Sequence, residues 1–357
     1  MNRNEYVRAT LTEFVKTRST PDTEMAEILH LARAHLEEFG LKPVVHEALA
    51  AIEASHGRGG VLFNGHLDTV PIGSGWTREQ ATVDGDLVYG RGTADMKAGC
   101  VAALAAARDL LDRGVPFSVL FTTDEETTMK GSIALAGSDL VRHAAAVIVG
   151  EPSSLRVIAS EKGILWYRAT VRGRSAHGSL PHLGDNAIYR MTRVLARLEA
   201  YARPTDPLAE ITVNLGSIHG GSAPNVVADT CSVDLDVRYP PSSSKQEVET
   251  ILFREFRKGA SDAVIELFHE VPSALVSPDA PHVRLLRQLA AAEVVGVTYG
   301  TEMAWYAPHN PRCAVFGPGA PEMCHVPDEH VSVSEVARAA EIFAEFGARM
   351  SPGSQKL

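Results

Sequence analysis

The chain has 357 residues, 45% apolar and 22% charged, enough for about two domains with sizeable cores. Lys plus Arg total 34 against 44 Asp plus Glu, a formal charge of 34 − 44 = −10, which argues against free nucleic acid as a general partner because phosphate binding needs a basic surface. The longest apolar run, residues 100–107, falls far short of the ~20 residues of a membrane span, so no membrane partner is expected.

Tyr6, Val7, Leu11, Phe14 and Val15 recur at helical spacing, as do Met25, Ile28, Leu29, Ala32 and Leu36. Two helices are therefore expected before Gly40, separated at Pro21. Short apolar strands then alternate with helices. Residues 61–63 run into Asn-Gly-His, residues 117–121 into Thr-Thr-Asp-Glu-Glu, and residues 145–149 into Gly-Glu-Pro. Residues 96–113 form an Ala- and Leu-rich helix stopped by Gly114. This alternation predicts an α/β domain with a mixed, mostly parallel sheet.

From Gly163 the texture shifts to longer strands at 164–172, 211–218 and 230–238, with helices near 186–201 and 245–258. Beyond Pro281 the first texture returns, with a helix near 282–293, a strand at 313–316 and a last helix over 334–349. The expected organisation is a catalytic α/β domain of residues 1–161 and 273–357, interrupted by an inserted α+β domain of residues 162–272. Residues 351–357 read as a frayed tail. The four scattered cysteines form no Cys-x-x-Cys pair, and no charged segment followed by an apolar stretch opens the sequence. A cytoplasmic protein with reduced thiols is the expectation.

Three of the predicted strands finish in metal-ligand residue types: His66 and Asp68, then Glu125 and Glu126, then Glu151. The carboxyl ends of parallel strands lie together, so these distant residues can converge. Asp95 opens a helix from the loop Gly90-Arg-Gly-Thr-Ala-Asp95, and His325 precedes the last helix in Cys-His-Val-Pro-Asp-Glu-His. Two imidazoles and several carboxylates, with no converging thiolates, suit Zn²⁺ or a neighbouring divalent ion. A carboxylate bridging two ions roughly 3.5–4 Å apart is the arrangement of two-metal hydrolases. Of adjacent Glu125 and Glu126, one can ligate while the other stays free as a general base.

The blocks Gly65-His66-Leu-Asp68-Thr-Val-Pro71, Gly92-Thr-Ala-Asp95-Met-Lys-Ala-Gly99, Asp124-Glu125-Glu126, Gly150-Glu151-Pro152 and His325-Val-Pro-Asp-Glu resemble, in order, the signature of a known family. It is the co-catalytic zinc amidohydrolase and exopeptidase family of acetylornithine deacetylase, succinyl-diaminopimelate desuccinylase, aminoacylase and glutamate carboxypeptidase. The resemblance implies two divalent ions, Zn²⁺ first, with Co²⁺ or Mn²⁺ also fitting. It puts His66, Asp95 and Glu151 on one ion, and Asp95, Glu126 and His325 on the other. Glu125 becomes the base that deprotonates a shared water and later protonates the leaving amine, and Asp68 orients His66. Glu151 stands where the family's dipeptidases and aminopeptidases often carry Asp, which leans towards the deacylases and carboxypeptidases.

In the inserted region, Gly173-Arg-Ser-Ala-His177-Gly-Ser resembles the block whose His crosses a dimer to stabilise the tetrahedral oxyanion. A homodimer formed through residues 162–272, the lid and dimerisation domain, is thereby implied. Asn225 in Gly221-Ser-Ala-Pro-Asn225, Arg238 in Asp234-Leu-Asp-Val-Arg238, and Gly319 in Gly317-Pro-Gly319 match segments that hold substrate. Arg238 would grip a substrate carboxylate through its planar fork. The implied reaction is hydrolysis of the amide of an N-acyl amino acid, as in amino-acid biosynthesis. A carboxypeptidase or dipeptidase acting on short peptides is the alternative. A catalytically silent metal-binding relative is a third reading, against which the retention of Glu125 speaks.

Between Glu161 and Arg203 eight basic residues stand against three acidic ones, and Arg190, Arg193 and Arg197 share a helix face. One reading is a solvated face. The other is a docking surface for an acidic carrier protein presenting an acylated amino acid.

Overall fold

The structure, a computed structural model, describes residues 2–351, so the expected tail beyond Ser351 lies outside the described residues. The chain divides into two compact units. The first comprises the residues up to Ala159, Leu275–Val295 and the residues from Thr301 on; the second comprises Ser160–Ala274 and Gly296–Gly300.

Helix α1 (Arg3–Lys16) begins at a capping box, in which the Asn2 side chain accepts from the Glu5 amide and Glu5 accepts from that of Asn2. It is followed by α2 (Ala26–Glu38), β1 (Val44–His46), β2 (Ala51–His56), β3 (Val61–His66), β4 (Thr82–Asp84) and β5 (Leu87–Tyr89). Next come α3 (Ala98–Asp112), β6 (Phe117–Thr122), α4 (Lys130–Leu135), α5 (Asp139–Arg142), β7 (Val147–Val149) and β8 (Val157–Glu161). The chain then builds β9 (Gly163–Arg172), α6 (Ala187–Leu198), β10 (Thr212–Gly220), β11 (Thr230–Tyr239), α7 (Lys245–Gly259) and β12 (Val264–Val271). It closes with β13 (Ala274–Leu275), α8 (Pro281–Ala290), β14 (Val294–Val297), α9 (Met303–Tyr306), β15 (Cys313–Val315), β16 (His330–Ser332) and α10 (Val333–Met350).

The large sheet has the order β1-β2-β6-β3-β7-β15-β8-β13, with β14 beside β8. Its centre, β6-β3-β7-β15, is parallel, while β1, β2 and β8 join antiparallel. Every residue of β3 and β7 is buried, as a parallel strand covered on both faces requires. Helix α3 is buried on nearly all sides and packs against α10 and α1. Two glycines, Gly99 at the start of α3 and Gly317 after β15, close in on the chain that leaves β7. A Cβ on Gly99 would meet the Gly150 carbonyl oxygen at 1.9 Å, and one on Gly317 would meet the same oxygen at 2.2 Å. β16 pairs with β5, which pairs with β4, in a separate three-stranded sheet.

The second unit is an antiparallel sheet of order β10-β11-β9-β12 with α6 and α7. Along β9 and β11 the buried side alternates with the open one, and Leu165, Tyr167, Ala169, Val233, Leu235 and Val237 form a core with Met191, Val194, Leu252 and Phe256. The capping box of Ser244 and Glu247 fixes where α7 begins. Among the described residues, no helix is long and apolar enough to cross a membrane.

Sequence patterning did not foreshadow β1, β2, the β4–β5 hairpin or β12. The last carries apolar residues on both faces, with Val264 and Phe268 exposed and Ile265 and Leu267 packed on the core, so no alternation marks it. Nor did any boundary signal show that residues 296–300 group with the second unit.

Candidate active site

The site lies at the carboxyl ends of the parallel strands of the first unit. His66 ends β3 in register with Thr122, the last residue of β6, and Glu151 follows β7. Asp95 sits in an irregular turn, Thr93–Lys97, entered through left-handed Gly92 and continuous with α3. His325, itself left-handed at φ 64°, lies five residues before β16.

These residues form two triads that share Asp95: His66, Asp95 and Glu151, and Asp95, Glu126 and His325. In each triad one donor atom per residue lies within 4.8 Å of the others. The two Asp95 oxygens face opposite ways. Oδ1 is 3.1 Å from His66 Nε2, and Oδ2 is 3.2 Å from His325 Nε2. His66 Nε2 is also 3.5 Å from Glu151 Oε1, and His325 Nε2 is 3.0 Å from Glu126 Oε1. Imidazole and carboxylate donors in this number fit divalent ions, with one carboxylate placed to serve both.

His66 Nδ1 donates to the Asp68 carbonyl oxygen at 3.0 Å, which turns Nε2 towards Asp95 and Glu151. The Asp68 carboxylate lies 3.4 Å from the same nitrogen and accepts from the amides of Glu125 at 3.3 Å and Glu126 at 3.1 Å. Asp68 thus fixes both the first imidazole and the turn that carries the two glutamates. Glu125 belongs to neither triad, yet its Oε2 is 4.0 Å from His66 Nε2.

The crowd of carboxylates sets the protonation. Burial, together with Glu151, Glu126 and Asp95, raises Glu125 well above the ordinary carboxyl range, with His66 opposing. Burial likewise raises Glu151. Burial alone would depress His66, but Glu151, Asp68 and Asp95 hold its proton and raise it well above its usual value. Hydrogen bonds to Asp95 and Glu126 push His325 up to about 10.

Three buried polar groups near these strand ends had no local sequence signal. Lys97 donates from Nζ to the Phe14 and Thr17 carbonyls, each at 2.9 Å, and burial pushes its ammonium down to about 7. Glu329 pairs with Arg91. Glu302 Oε1 accepts from Thr122 Oγ1 at 2.7 Å, while its Oε2 and Asn64 Oδ1 have no hydrogen-bond partner among the described residues. Asn64 Nδ2 donates to the Tyr306 hydroxyl at 3.1 Å, so Tyr306 belongs to this buried cluster.

Burial pushes the Glu302 carboxyl up to about 7, with Thr122 and His66 opposing. Below the ordinary value of 4.5 this carboxyl is neutral whether folded or unfolded. Between 4.5 and about 7 the unfolded chain ionises first, so the folded state loses stability as pH rises. Glu302→Gln removes that dependence. In metal-free protein, the variant's stability relative to wild type is expected to rise by on the order of 3 kcal/mol across this window. Urea unfolding at both ends of the window reads it, and a difference constant with pH would show an ordinary carboxyl instead.

The remaining predicted residues are not part of these triads. Gly319 is buried at φ 91° beside Ala94, its amide donating to Glu335 Oε1 and its carbonyl accepting from Ser154, so both backbone groups are engaged internally. Within the second unit, His177 and Asn225 are exposed neighbours, joined by a bridge from His177 to Val226 and by the Gly178 amide donating to the Asn225 carbonyl. His177 Nδ1 accepts from the Ser179 amide at 3.2 Å, which leaves the proton on Nε2. Arg238 borders a cavity of about 370 Å³ with Pro207, Thr212, Thr298 and Tyr299. Its fork is taken by Asp236, Nε to Oδ1 at 2.7 Å and Nη2 to Oδ2 at 2.9 Å. Of the three arginines sharing a face on α6, Arg190 is held by Asp185 and Asp262, and Arg197 faces Glu255 at 3.9 Å.

Residues 62–349 match the family described as Peptidase family M20/M25/M40. The chain is 33% identical over 307 residues to the acetylornithine deacetylase of Pectobacterium carotovorum subsp. carotovorum (strain PC1), a match covering 81% of this chain and 80% of that one. Its fold is similar to that of Sso-CP2, an M20 family metallo-carboxypeptidase from Sulfolobus solfataricus, with a TM-score of 0.81 at 18% identity over 97% and 98% of the two chains. It is also similar to the YXEP protein of Bacillus subtilis, a dinuclear metal-binding peptidase from the M20 family, with a TM-score of 0.75 at 16% identity over 97% of each chain. A match that runs from β3 into α10, with a relative this similar along four-fifths of both chains, means that the protein belongs to peptidase family M20/M25/M40 and is a hydrolytic enzyme.

Proposed function

We propose that the protein hydrolyses the amide of an N-acyl amino acid, releasing a carboxylate and a free amino acid, with two divalent metal ions as cofactors. The observation that carries this reading is the similarity to acetylornithine deacetylase over most of both chains, in a protein whose structure gathers the two triads with Glu125 beside them. His66, Asp95 and Glu151 would hold one ion, and Asp95, Glu126 and His325 the other. Zn²⁺ suits this donor set best, and Co²⁺ or Mn²⁺ would also fit. When bound, the ions supply Lewis acidity at the scissile carbonyl and make a water acidic enough to attack it.

The side chains do the rest. Glu125 takes a proton from the attacking water and passes it to the leaving amine, so its raised pKa is an asset. Asp68 keeps Glu125 in reach by holding its amide. His177, protonated on Nε2, donates a hydrogen bond to the developing oxyanion, from a second copy of the chain as the family resemblance implies. Arg238 exchanges Asp236 for the carboxylate of the substrate.

A homodimer through the second unit is part of this proposal. Strand β10 is an edge, and Leu215 and Ile218 on it are exposed, as is Tyr189 on α6. A cytoplasmic role in amino-acid biosynthesis follows from the same reading. The internal ion pairs of Arg190 and Arg197 favour a small-molecule substrate over an acidic carrier protein.

The test is a metal-replete hydrolysis screen across N-acetyl, N-succinyl and N-formyl amino acids and a panel of dipeptides, with the products weighed by mass spectrometry. Turnover of acylated amino acids is expected. Turnover restricted to dipeptides would replace this reading with a peptidase on the same site.

A further inference from the structure

His325 and Asp95 come from segments 230 residues apart. His325 is half exposed, and Asp95 lies in a turn whose backbone is not helical. The placement of the half-exposed imidazole relative to Asp95 therefore depends on what ties the two backbones together. One carboxylate does this. Glu329 is fully buried four residues after His325, and both of its oxygens are occupied. Oε1 accepts from the backbone amides of Ala94 at 2.8 Å and of Asp95 itself at 3.2 Å. Oε2 accepts from Arg91 Nη1 at 2.6 Å, and Arg91 is also buried.

Arg91 is anchored in turn. Its Nη2 donates to the Ile72 carbonyl at 3.3 Å, its amide donates to Gln80 Oε1 at 2.7 Å, and its guanidinium lies 5.4 Å from the centre of the Trp76 ring. The His325 side is pinned as well. The Gly90 amide donates to the Glu329 carbonyl at 2.8 Å, and Asp328 Oδ1 accepts from the amides of Thr77 and Arg78 at 2.8 and 3.0 Å. A buried ion pair recovers its desolvation cost only when its hydrogen bonding is complete, whereas Arg91 Nε has no partner among the described residues, and apolar replacements of equal volume often match such a pair in stability. Stability alone therefore gives little reason for Arg91 and Glu329.

We propose that the Arg91–Glu329 ion pair is the positioning device for the Asp95–His325 half of the site, setting the shared carboxylate and the exposed imidazole at a fixed separation before a metal ion arrives. Neither residue touches the reacting atoms. Both act through the Asp95 backbone on one side and the His325 segment on the other. The inference rests on the two-metal reading above.

The test is calorimetric titration of chelator-stripped protein with Zn²⁺, which needs no turnover. Wild type is expected to bind two ions. Glu329→Gln, which keeps the volume but gives up the charge, should weaken the ion held with His325 by roughly 10–100-fold and the other, which shares only Asp95, by clearly less. In a His325→Ala background, which retains only the His66 triad, Glu329→Gln should then cost less than it does with His325 in place, because that triad shares Asp95 but not the His325 segment. If Glu329→Gln does not fold, by circular dichroism and thermal melting, Arg91→Lys is read in the same way, since it keeps the charge and loses the fork. Two ions bound as tightly as in wild type, or equally weakened at both sites, would overturn the proposal. Fewer than two ions bound by wild type would overturn it together with the two-metal reading, so the two failures are told apart.

Discussion

Glu125→Gln is expected to lower kcat by roughly 10²–10⁴-fold while both metal ions stay bound. The loss is large because Glu125 stands beside the triads unused by either, its Oε2 4.0 Å from His66 Nε2, whereas the Asp68 carboxylate is taken up by the amides of Glu125 and Glu126. Its pKa, raised by burial and by neighbouring carboxylates, suits a group that must take a proton and return it in each turnover. Gln has the same volume and can still occupy the turn fixed by Asp68 through the backbone amides of residues 125 and 126. Metal content by elemental analysis should therefore match wild type, separating a lost base from a damaged site. Near-normal turnover in this variant would remove Glu125 from the mechanism.

Removing the metal ions is expected to abolish turnover completely, and adding Zn²⁺ or Co²⁺ to restore it. The metal-free site is electrostatically poor, with Asp95, Glu125, Glu126 and Glu151 crowded around two imidazoles. Those carboxylates hold protons on His66 and His325, and an incoming ion must displace them. Affinity should thus rise with pH below about 10, the value to which His325 is pushed. Binding also favours the folded state, by about 2.7 kcal/mol for one site at a hundredfold excess over its dissociation constant. The melting temperature should therefore climb with free Zn²⁺ concentration, and a melting temperature indifferent to the ion would contradict a folded, preformed site. Activity that survived chelation to a small fraction of an equivalent would rule out metal-dependent chemistry.

The parts of this site that were readable from sequence are those carried by local pattern. His66, the Glu125–Glu126 pair and Glu151 follow short apolar strands, and parallel pairing brings such strand ends together, but the choice of Glu126 over Glu125 as a ligand rested on the family resemblance. Asp95 and His325 were readable because each sits in a distinctive loop next to a helix or strand. What could not be read depends on side chains meeting across long stretches of chain. Arg91 and Glu329 are 238 residues apart and Thr122 and Glu302 are 180 apart, with nothing in the neighbourhood of either residue to announce the other. The Arg238 fork is a different case, since Asp236 lies only two residues away on the same face of β11 and its carboxylate was within view. The strand β12 escaped because its outward face is itself apolar, so alternation carried no contrast.

The Lys97 ammonium has a consequence that reaches beyond the site. It is spent on the Phe14 and Thr17 carbonyls, at the end of α1, while its own backbone lies two residues from Asp95. Residues 14 and 17 therefore act as the far wall of a socket in which the turn that carries Asp95 is seated. Clipping α1 away would leave a buried amine without acceptors, and the disturbance would be felt at Asp95 rather than at the cut. Any design that shortens or unwinds α1, or that replaces Asn2 and so removes its capping box, disturbs the turn that carries Asp95 from a distance.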